Sequence, residues 1–308
     1  MDHKVLLYYN FTPIDEVEAF IAAHRDLCED LNLLGRIYVS EEGINGTVGG
    51  TIEACDRYMA ALRAHPGLEG TEFKEDLADR VPFAKRIVRY RPEIVALHVD
   101  EPLDPKEGGR HLSPREWREA LETEQDYVLI DVRNNYESKI GHFEGAILPD
   151  LENFYDFPQW VDEAGIPKDK KILMYCTGGI RCEKFSVLMK KKGYADVNQL
   201  HGGILTYAKE EGGAHYKGKC FVFDDRLAVP VNPDEEEPVS FCEISGQPAD
   251  TYLNCANMDC NRLFICCEGA ADRFKGCCGE ACMNAPRVRP FDKETAFIPF
   301  RKWYEYFK

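Results

Sequence analysis

An apolar run, Lys171-Ile172-Leu173-Met174-Tyr175, leads without a break into Cys176-Thr177-Gly178-Gly179-Ile180-Arg181-Cys182. The run reads as a buried strand, and the pattern from Cys182 to Lys192 reads as a helix. A strand, a short glycine-bearing loop and a helix form the repeating step of a parallel α/β sheet, where sites sit at the carboxyl ends of strands. Cys176 is the first residue past such an end. Tyr127 to Ile130 predicts a second buried strand, and Val197 to Leu200 a third. Ser113-Pro114-Arg115-Glu116 opens a helix, with Ser at the N-cap, Pro in the first turn and Glu three residues on.

The loop has the makings of an anion site. Glycines let the backbone curl so that successive N–H groups point inward. The following helix adds its positive N-terminal end. Both favour a thiolate, so the pKa of Cys176 is expected to be lowered. Arg181 is expected to add a positive charge at the rim. Such a cradle suits an anion on or beside sulfur: a persulfide, a sulfenate or a phosphate. A lone cysteine at a strand end would read as packing; the glycines and Arg181 reverse that reading.

Upstream, residues 4–9 predict a strand and Ile14 to Leu34 an amphipathic helix ended by Gly35. Arg36–Ser40 and Gly46–Gly49 flank a Glu41–Asn45 turn and read as a hairpin. Thr51–Ala64 predicts a second helix, and residues 71–75 and 86–97 further strand. The order β-α-β-β-α-β is the ferredoxin-like split unit. A Pro-, Gly- and charge-rich stretch from Asp100 to Arg110 reads as a linker. Residues 216–240 show little periodicity, and the acidic run Asp234–Glu237 reads as a solvated linker.

The chain has 308 residues, 13 cysteines and a formal net charge of −16, and its length suggests two or three domains. No stretch approaches the ~20 apolar residues of a membrane span. Val5–Leu7 is too short for a signal peptide, so a cytoplasmic, thiol-reducing location is expected. There, cysteines are more often catalytic or metal-binding than disulfide-bonded. The charge argues against indiscriminate nucleic-acid binding, because no third of the chain is basic. A confined basic face is still open. Lys85, Arg86, Arg89 and Arg91, interleaved with Tyr90, are the candidate; Lys190-Lys191-Lys192 is a weaker one, readable as a helix-end cap.

The central segment resembles the rhodanese domain over about residues 111–215. Leu129-Ile130-Asp131-Val132-Arg133 is similar to that family's strand ending in Asp-Val-Arg. Gly141-His142-Phe143-Glu144-Gly145-Ala146 is similar to its Gly-His turn, Cys176 to Arg181 to its six-residue active-site loop, and Gly193-Tyr194 through Gly202-Gly203-Ile204 to its closing motif. Asp131 and Arg133 are expected to order the turns around the loop. His142 reads as a turn or packing residue rather than a general base.

Four further stretches narrow the resemblance: Tyr8-Tyr9-Asn10-Phe11, Glu41 to Thr47, Glu93 to Leu97, and Cys182-Glu183-Lys184 directly after the loop. With the cysteine-rich tail, they make the whole chain similar to the bacterial tRNA uridine hydroxylase family. That resemblance implies oxygen-dependent conversion of the wobble uridine of tRNA to 5-hydroxyuridine. Cys176 is then the catalytic cysteine and Cys182 a second essential residue, with Thr177, Gly178, Gly179 and Ile180 as the loop. Its implied partner is tRNA and its co-substrate molecular oxygen; no flavin, nicotinamide, haem or iron motif is visible. The alternatives are a persulfide sulfurtransferase and a non-catalytic rhodanese-like module. The expected architecture is a ferredoxin-like α+β domain (1–100), a rhodanese-like parallel α/β domain (111–215) and a small cysteine-rich region (216–308).

Eight of the cysteines lie between Cys242 and Cys282. Their spacing reads as one or more zinc sites. Related tails carry Cys-x-x-Cys where this chain has Cys242 to Ser245 and Cys267 to Ala270, so one site has lost half its ligands. Cys255, Cys260, Cys278 and Cys282 remain as a candidate set, with Cys277 as a substitute for Cys278. Cys28 and Cys55 read as packing residues.

Overall fold

The computed structural model describes residues 1–232 and 237–293. They fall into two compact units. One joins Met1–Asn135 to Gly145–Glu211, and the other joins Tyr136–Glu144 to the chain from Gly212. Asp234, Glu235 and Glu236 of the acidic run, and residues 294–308, lie outside the described residues.

The first unit begins with β1 (His3–Phe11), α1 (Val17–Asp30), β2 (Leu34–Ser40), β3 (Gly43–Thr51), α2 (Ile52–Arg63), β4 (Glu72–Ala78) and β5 (Arg86–Tyr90). The strands form one sheet in the order β4-β1-β3-β2-β5, antiparallel except for the β2–β5 edge pair. This is the expected split unit with one strand added. Strand alternation sorts its two faces. Leu6 and Tyr8 of β1 are fully buried in a core with Ile37, Val39, Tyr58 and Leu62. The intervening Leu7 and Tyr9 therefore point to the opposite face, and Lys74 lies opposite the core-facing Phe73 in the same way.

Several boundaries differ from expectation for local reasons. The first helix ends at Asp30, not Leu34, because Asn32 takes a left-handed conformation (φ 49°), one that asparagine tolerates. The hairpin turn is Glu41-Glu42 alone, since Gly43 to Asn45 pair with Phe11 to Tyr9 of β1. The strand expected over 86–97 stops at Tyr90, just before Pro92, which has no N–H for a ladder.

The same unit continues with β6 (Arg110–Leu112), α3 (Pro114–Thr123) and β7 (Tyr127–Asp131), after which the chain passes through the single turn α4 (Asn135–Ser138), most of which belongs to the second unit. After β8 (Gly141–Phe143) come α5 (Phe157–Glu163), β9 (Lys171–Tyr175), α6 (Ile180–Lys191), β10 (Asp196–Leu200) and α7 (Gly203–Glu211). Strands β6-β10-β9-β7 form the expected all-parallel sheet. Ser113 and Glu116 form a full capping box at the start of α3. Helix α6 is buried from Arg181 through Met189. An amphipathic surface helix would bury only one stripe, so α6 is covered on more than one side. Lys184 shows part of that cover. Its ammonium, on a 5% exposed side chain, lies 2.8 Å from Glu42 and 2.7 Å from Glu93.

In the second unit, β8 pairs with β11 (Tyr216–Phe221), which pairs with β12 (Ala228–Pro230). Residues 216–240 thus hold two strands where none was expected; Gly218, at φ 76°, interrupts the alternation that would have shown β11. The hairpin β13 (Tyr252–Asn254) and β14 (Leu263–Ile265) and the short helices α8 (Glu268–Arg273) and α9 (Glu280–Met283) follow. Their core mixes Phe221, Tyr252, Phe264 and Ile265 with Cys242, Cys255, Cys266 and Cys277. No helix among the described residues is long and apolar enough to cross a membrane.

Candidate active site

Cys176 leaves the end of β9 and is 1% exposed. The loop folds back so that the Gly179 N–H donates to Cys176 Sγ at 3.1 Å. Gly179 sits at φ 103°, open to glycine and strained for other residues, and caps the start of α6. Burial pushes the thiol pKa up. The Cys182 thiol, the Arg181 charge and the backbone N–H groups of Arg181 and Cys182 outweigh it and bring the pKa down to about 6. Cys182 is the reverse case: burial, then the neighbouring Cys176 sulfur, hold its pKa well above the ordinary thiol range. The pair is thus a thiolate and the thiol that donates to it. Arg181 is itself buried, 7% exposed, with Nη2 3.4 Å from Thr177 Oγ1. The expectation of a rim position is corrected, since the guanidinium is folded under the loop.

Two groups hold the loop from below. Arg133 pairs with Asp131 through Nε–Oδ1 at 2.9 Å and Nη2–Oδ2 at 2.6 Å, and both side chains are fully buried. The Tyr175 hydroxyl donates to Asp131 Oδ2 at 2.8 Å. Through Tyr175 the pair ties the end of β7 to the end of β9. From the other side, Ile204 and Leu205 of α7 donate their N–H groups to the carbonyls of Cys176 and Thr177. A Cβ on Gly203 would meet both carbonyl oxygens at 2.6 Å, which accounts for the glycine there.

The opposite face of the N-terminal sheet covers the loop. A Cβ on Gly178 would lie 2.6 Å from Leu7, and one on Gly179 would lie 2.8 Å from the Tyr9 hydroxyl. Tyr9 donates to Glu183 Oε1 at 2.8 Å. Glu183 also receives His111 Nε2 at 3.0 Å and Gln199 Nε2 at 3.4 Å. His111 and His201, at the carboxyl ends of β6 and β10, stand edge to face with 5.8 Å between ring centres, and His201 lies 3.1 Å from Glu72. Lys74 rests on the Tyr9 ring, 4.7 Å from its centre. Tyr9, Glu42, Glu93, Glu183 and Lys184 stood in motifs noted in the sequence, but without a task. Lys74, His111 and His201 were missed; the two histidines were detectable as residues at the carboxyl ends of parallel strands.

Three family models match in chain order: the UPF0176 acylphosphatase-like domain over residues 3–94, the rhodanese-like domain over 113–210 and the rhodanase C-terminal region over 217–283. A curated relative from Protochlamydia amoebophila, named tRNA uridine(34) hydroxylase, is 43% identical over 307 residues, covering 99% of this chain and 95% of the relative. Another of the same name, from Bacillus cereus, is 46% identical over 291 residues, covering 93% and 91%.

The chain belongs to the tRNA uridine(34) hydroxylase family.

In this member of the tRNA uridine(34) hydroxylase family, the four candidate metal ligands come together. The Sγ atoms of Cys255, Cys260, Cys278 and Cys282 all lie within 4.8 Å of one another, a cluster that can hold a metal. Tetrahedral Zn–S bonds of ~2.3 Å require S···S edges of about 3.8 Å. Cys260–Cys278 at 3.8 Å and Cys278–Cys282 at 3.6 Å fit that requirement. Asn257 Nδ2 donates to Cys282 Sγ at 3.4 Å from outside the set. Cys277, the alternative to Cys278, is not among the four sulfurs that come together. Ser245 donates its N–H to Cys242 Sγ and its hydroxyl meets Cys267 Sγ, and Cys242 also faces the Cys266 thiol. Cys28 and Cys55 are packing residues whose thiols burial pushes up to about 12 and about 11.

The basic candidates divide. Arg89 and Arg91 are exposed on the edge strand region, each 5.3 Å from the centre of the Tyr38 ring. Among the described residues, no carboxylate pairs with either. Lys85 is exposed beside them, whereas Arg86 is turned inward to Leu33 O and Glu29. The three lysines at the end of α6 are all engaged, Lys190 with the carbonyls of Glu107 and Gly108, Lys191 with Glu101 and Lys192 with Asp162.

Proposed function

We propose that the protein is a tRNA-modifying enzyme that hydroxylates carbon 5 of uridine 34, with Cys176 as the nucleophile and molecular oxygen as co-substrate. The observation that carries this reading is the Cys176 thiolate, cradled by backbone N–H groups in a chain alignable along nearly its whole length with tRNA uridine(34) hydroxylases. Carbon 5 of uridine is a weak nucleophile. A thiolate that adds at carbon 6 turns it into an enolate carbon able to take an oxygen atom. Loss of the carbon-5 proton and of the thiolate then restores the ring double bond. Arg181 and the loop N–H groups steady the Cys176 thiolate before it adds and as it leaves. One atom of molecular oxygen enters carbon 5 and the other oxidises the freed Cys176 to a sulfenic acid, which condenses with the Cys182 thiol to a disulfide and water; the thiol pair thus supplies the two electrons, and a thiol reductant restores it for the next turnover.

Substrate tRNA docks through Lys85, Arg89 and Arg91, whose charges are free for phosphates. Residues 1–100, 111–215 and 216–308 divide the work into binding, chemistry and a zinc-stabilised C-terminal region with Cys255, Cys260, Cys278 and Cys282 as ligands. A persulfide sulfurtransferase is the second reading, favoured by the same N–H cradle, which also fits a persulfide anion. A non-catalytic module would not need an activated Cys176.

Nucleoside analysis of tRNA separates the three. Expressed in a bacterium lacking its own tRNA uridine hydroxylase, the protein restores 5-hydroxyuridine derivatives and Cys176→Ser does not. Restored thiolated nucleosides would point to the sulfurtransferase, and no change to the module.

A further inference from the structure

Lys74 is a charged side chain near the thiolate that forms no ion pair among the described residues. Its ammonium has no hydrogen-bond or ion-pair partner among the described residues and rests instead on the Tyr9 ring at 4.7 Å. Strand register places it beside Leu7, whose side chain lies against Gly178 of the cysteine loop. Tyr9, beneath it, has its hydroxyl against Gly179, the residue that donates to Cys176 Sγ. Burial pulls its pKa below the ordinary lysine value even though Glu72, Cys176 and Glu183 are all close enough for their charges to act on it. A half-buried ammonium without an anion pays a desolvation cost that a structural lysine, such as Lys184 between two carboxylates, avoids. Lys74 therefore reads as a charge kept for an anion that arrives with the substrate.

We propose that Lys74 is a catalytic residue of the uridine site, whose ammonium receives O4 of the uracil ring as negative charge develops there. The proposal rests on the hydroxylase reading above. In the step it serves, Cys176 sulfur forms a bond to carbon 6. The C5=C6 electron pair moves to C4–C5, and the C4=O4 pair moves to O4 as an enolate. No electrons enter or leave, and the step reverses by expelling the thiolate. A proton from solvent that adds at carbon 5 and is lost again exchanges the hydrogen there without any oxidant.

That exchange gives a readout separate from hydroxylation. Full-length wild type, Lys74→Met and Lys74→Arg are assayed with tRNA for 5-hydroxyuridine formation in air, and for exchange of the carbon-5 hydrogen of uridine 34 without oxygen. Methionine keeps the packing on Tyr9 and removes the charge. Loss of one charge-stabilising donor typically lowers kcat by ~10²–10³. Lys74→Met is expected to lower kcat and anaerobic exchange together by about 100-fold, with KM changed less than about threefold, and Lys74→Arg to recover at least about a tenth of both. Should Lys74→Met melt early, Lys74→Gln takes its place. An active wild type with Lys74→Met within about threefold on kcat overturns this proposal alone. A fall in hydroxylation with exchange intact overturns it too, because the lysine then serves a later step. A wild type that leaves uridine 34 unmodified in air overturns the parent reading and this one with it.

Discussion

The phenol of Tyr9 on β1 donates to the carboxylate of Glu183 on α6 at 2.8 Å, joining the N-terminal sheet to the helix that begins at the cysteine loop. Glu183 is 8% exposed and also accepts from His111 and Gln199. Glu183→Ala strands three donors in a poorly hydrated site, at about 1 kcal/mol or more each. Urea denaturation should show a loss of roughly 3 kcal/mol, and Glu183→Gln, which keeps an acceptor for Tyr9, less than half of that. The ion pair also raises the pKa of His111. Its contribution to stability is therefore full below the ordinary histidine pKa and fades as pH rises through the folded-state value. Glu183→Gln should flatten that stretch of the stability–pH curve.

Cys176 gives the opposite sign. Its pKa falls to about 6 in the folded chain against ~8.5 for a free thiol, so the thiolate stabilises the fold at high pH, and that contribution is lost as pH falls through 6. Alkylation of Cys176 by iodoacetamide, followed by mass spectrometry, should rise with an apparent pKa near 6, whereas Cys28 and Cys55 should stay unreactive up to pH 9. Cys182→Ala should shift the Cys176 profile upward by removing the thiol that donates to it.

Removing one partner of a buried ion pair leaves the other charge uncompensated, at about 3–5 kcal/mol. Arg133→Ala strands Asp131 in a fully buried position, with only Tyr175 and the backbone to solvate it. A loss in that range by denaturant titration is expected, and an unchanged midpoint would mean that the pair does not hold the loop.

Charge reversal at Arg89 and Arg91 tests the docking face. The double variant should raise KM for tRNA with kcat nearly unchanged, and lower the slope of log affinity against log salt by about 2. Reversal of Lys190 and Lys192, already engaged with neighbouring groups, should leave that slope alone.

Purified protein should contain about one equivalent of zinc, removable by a strong chelator with loss of C-terminal structure. Cys260→Ser and Cys282→Ser should each abolish retention. Cys277→Ser should retain the metal, because the Cys277 sulfur lies outside the four-sulfur cluster.

The cysteine loop was readable in the sequence because its parts are contiguous: strand, glycines, arginine and helix fall within a dozen residues. Both sheets followed from apolar period and turn residues, except the three-residue edge strand β6, which is too short to show a period. The cover over the loop was not readable in the same way. Tyr9, Lys74 and Glu183 come from three distant segments, and only strand alternation marks the face on which the first two stand. Arg181 was misplaced because a basic residue in a loop reads as exposed unless its burial is seen. The pairing of β8 with β11 is equally non-local, and Gly218 erased the period that would have announced it.

Lys184 touches Glu42 and Glu93 from within the helix that starts at the active-site loop. A fragment starting at residue 111 would keep every rhodanese motif and lose both carboxylates. The lysine would face either an uncompensated charge or the water let in to solvate it. The catalytic part of this chain is thus not a detachable cassette. Recombination that exchanged the N-terminal segment for an unrelated one would have to replace Lys184 as well, so the two stretches are constrained to be inherited together.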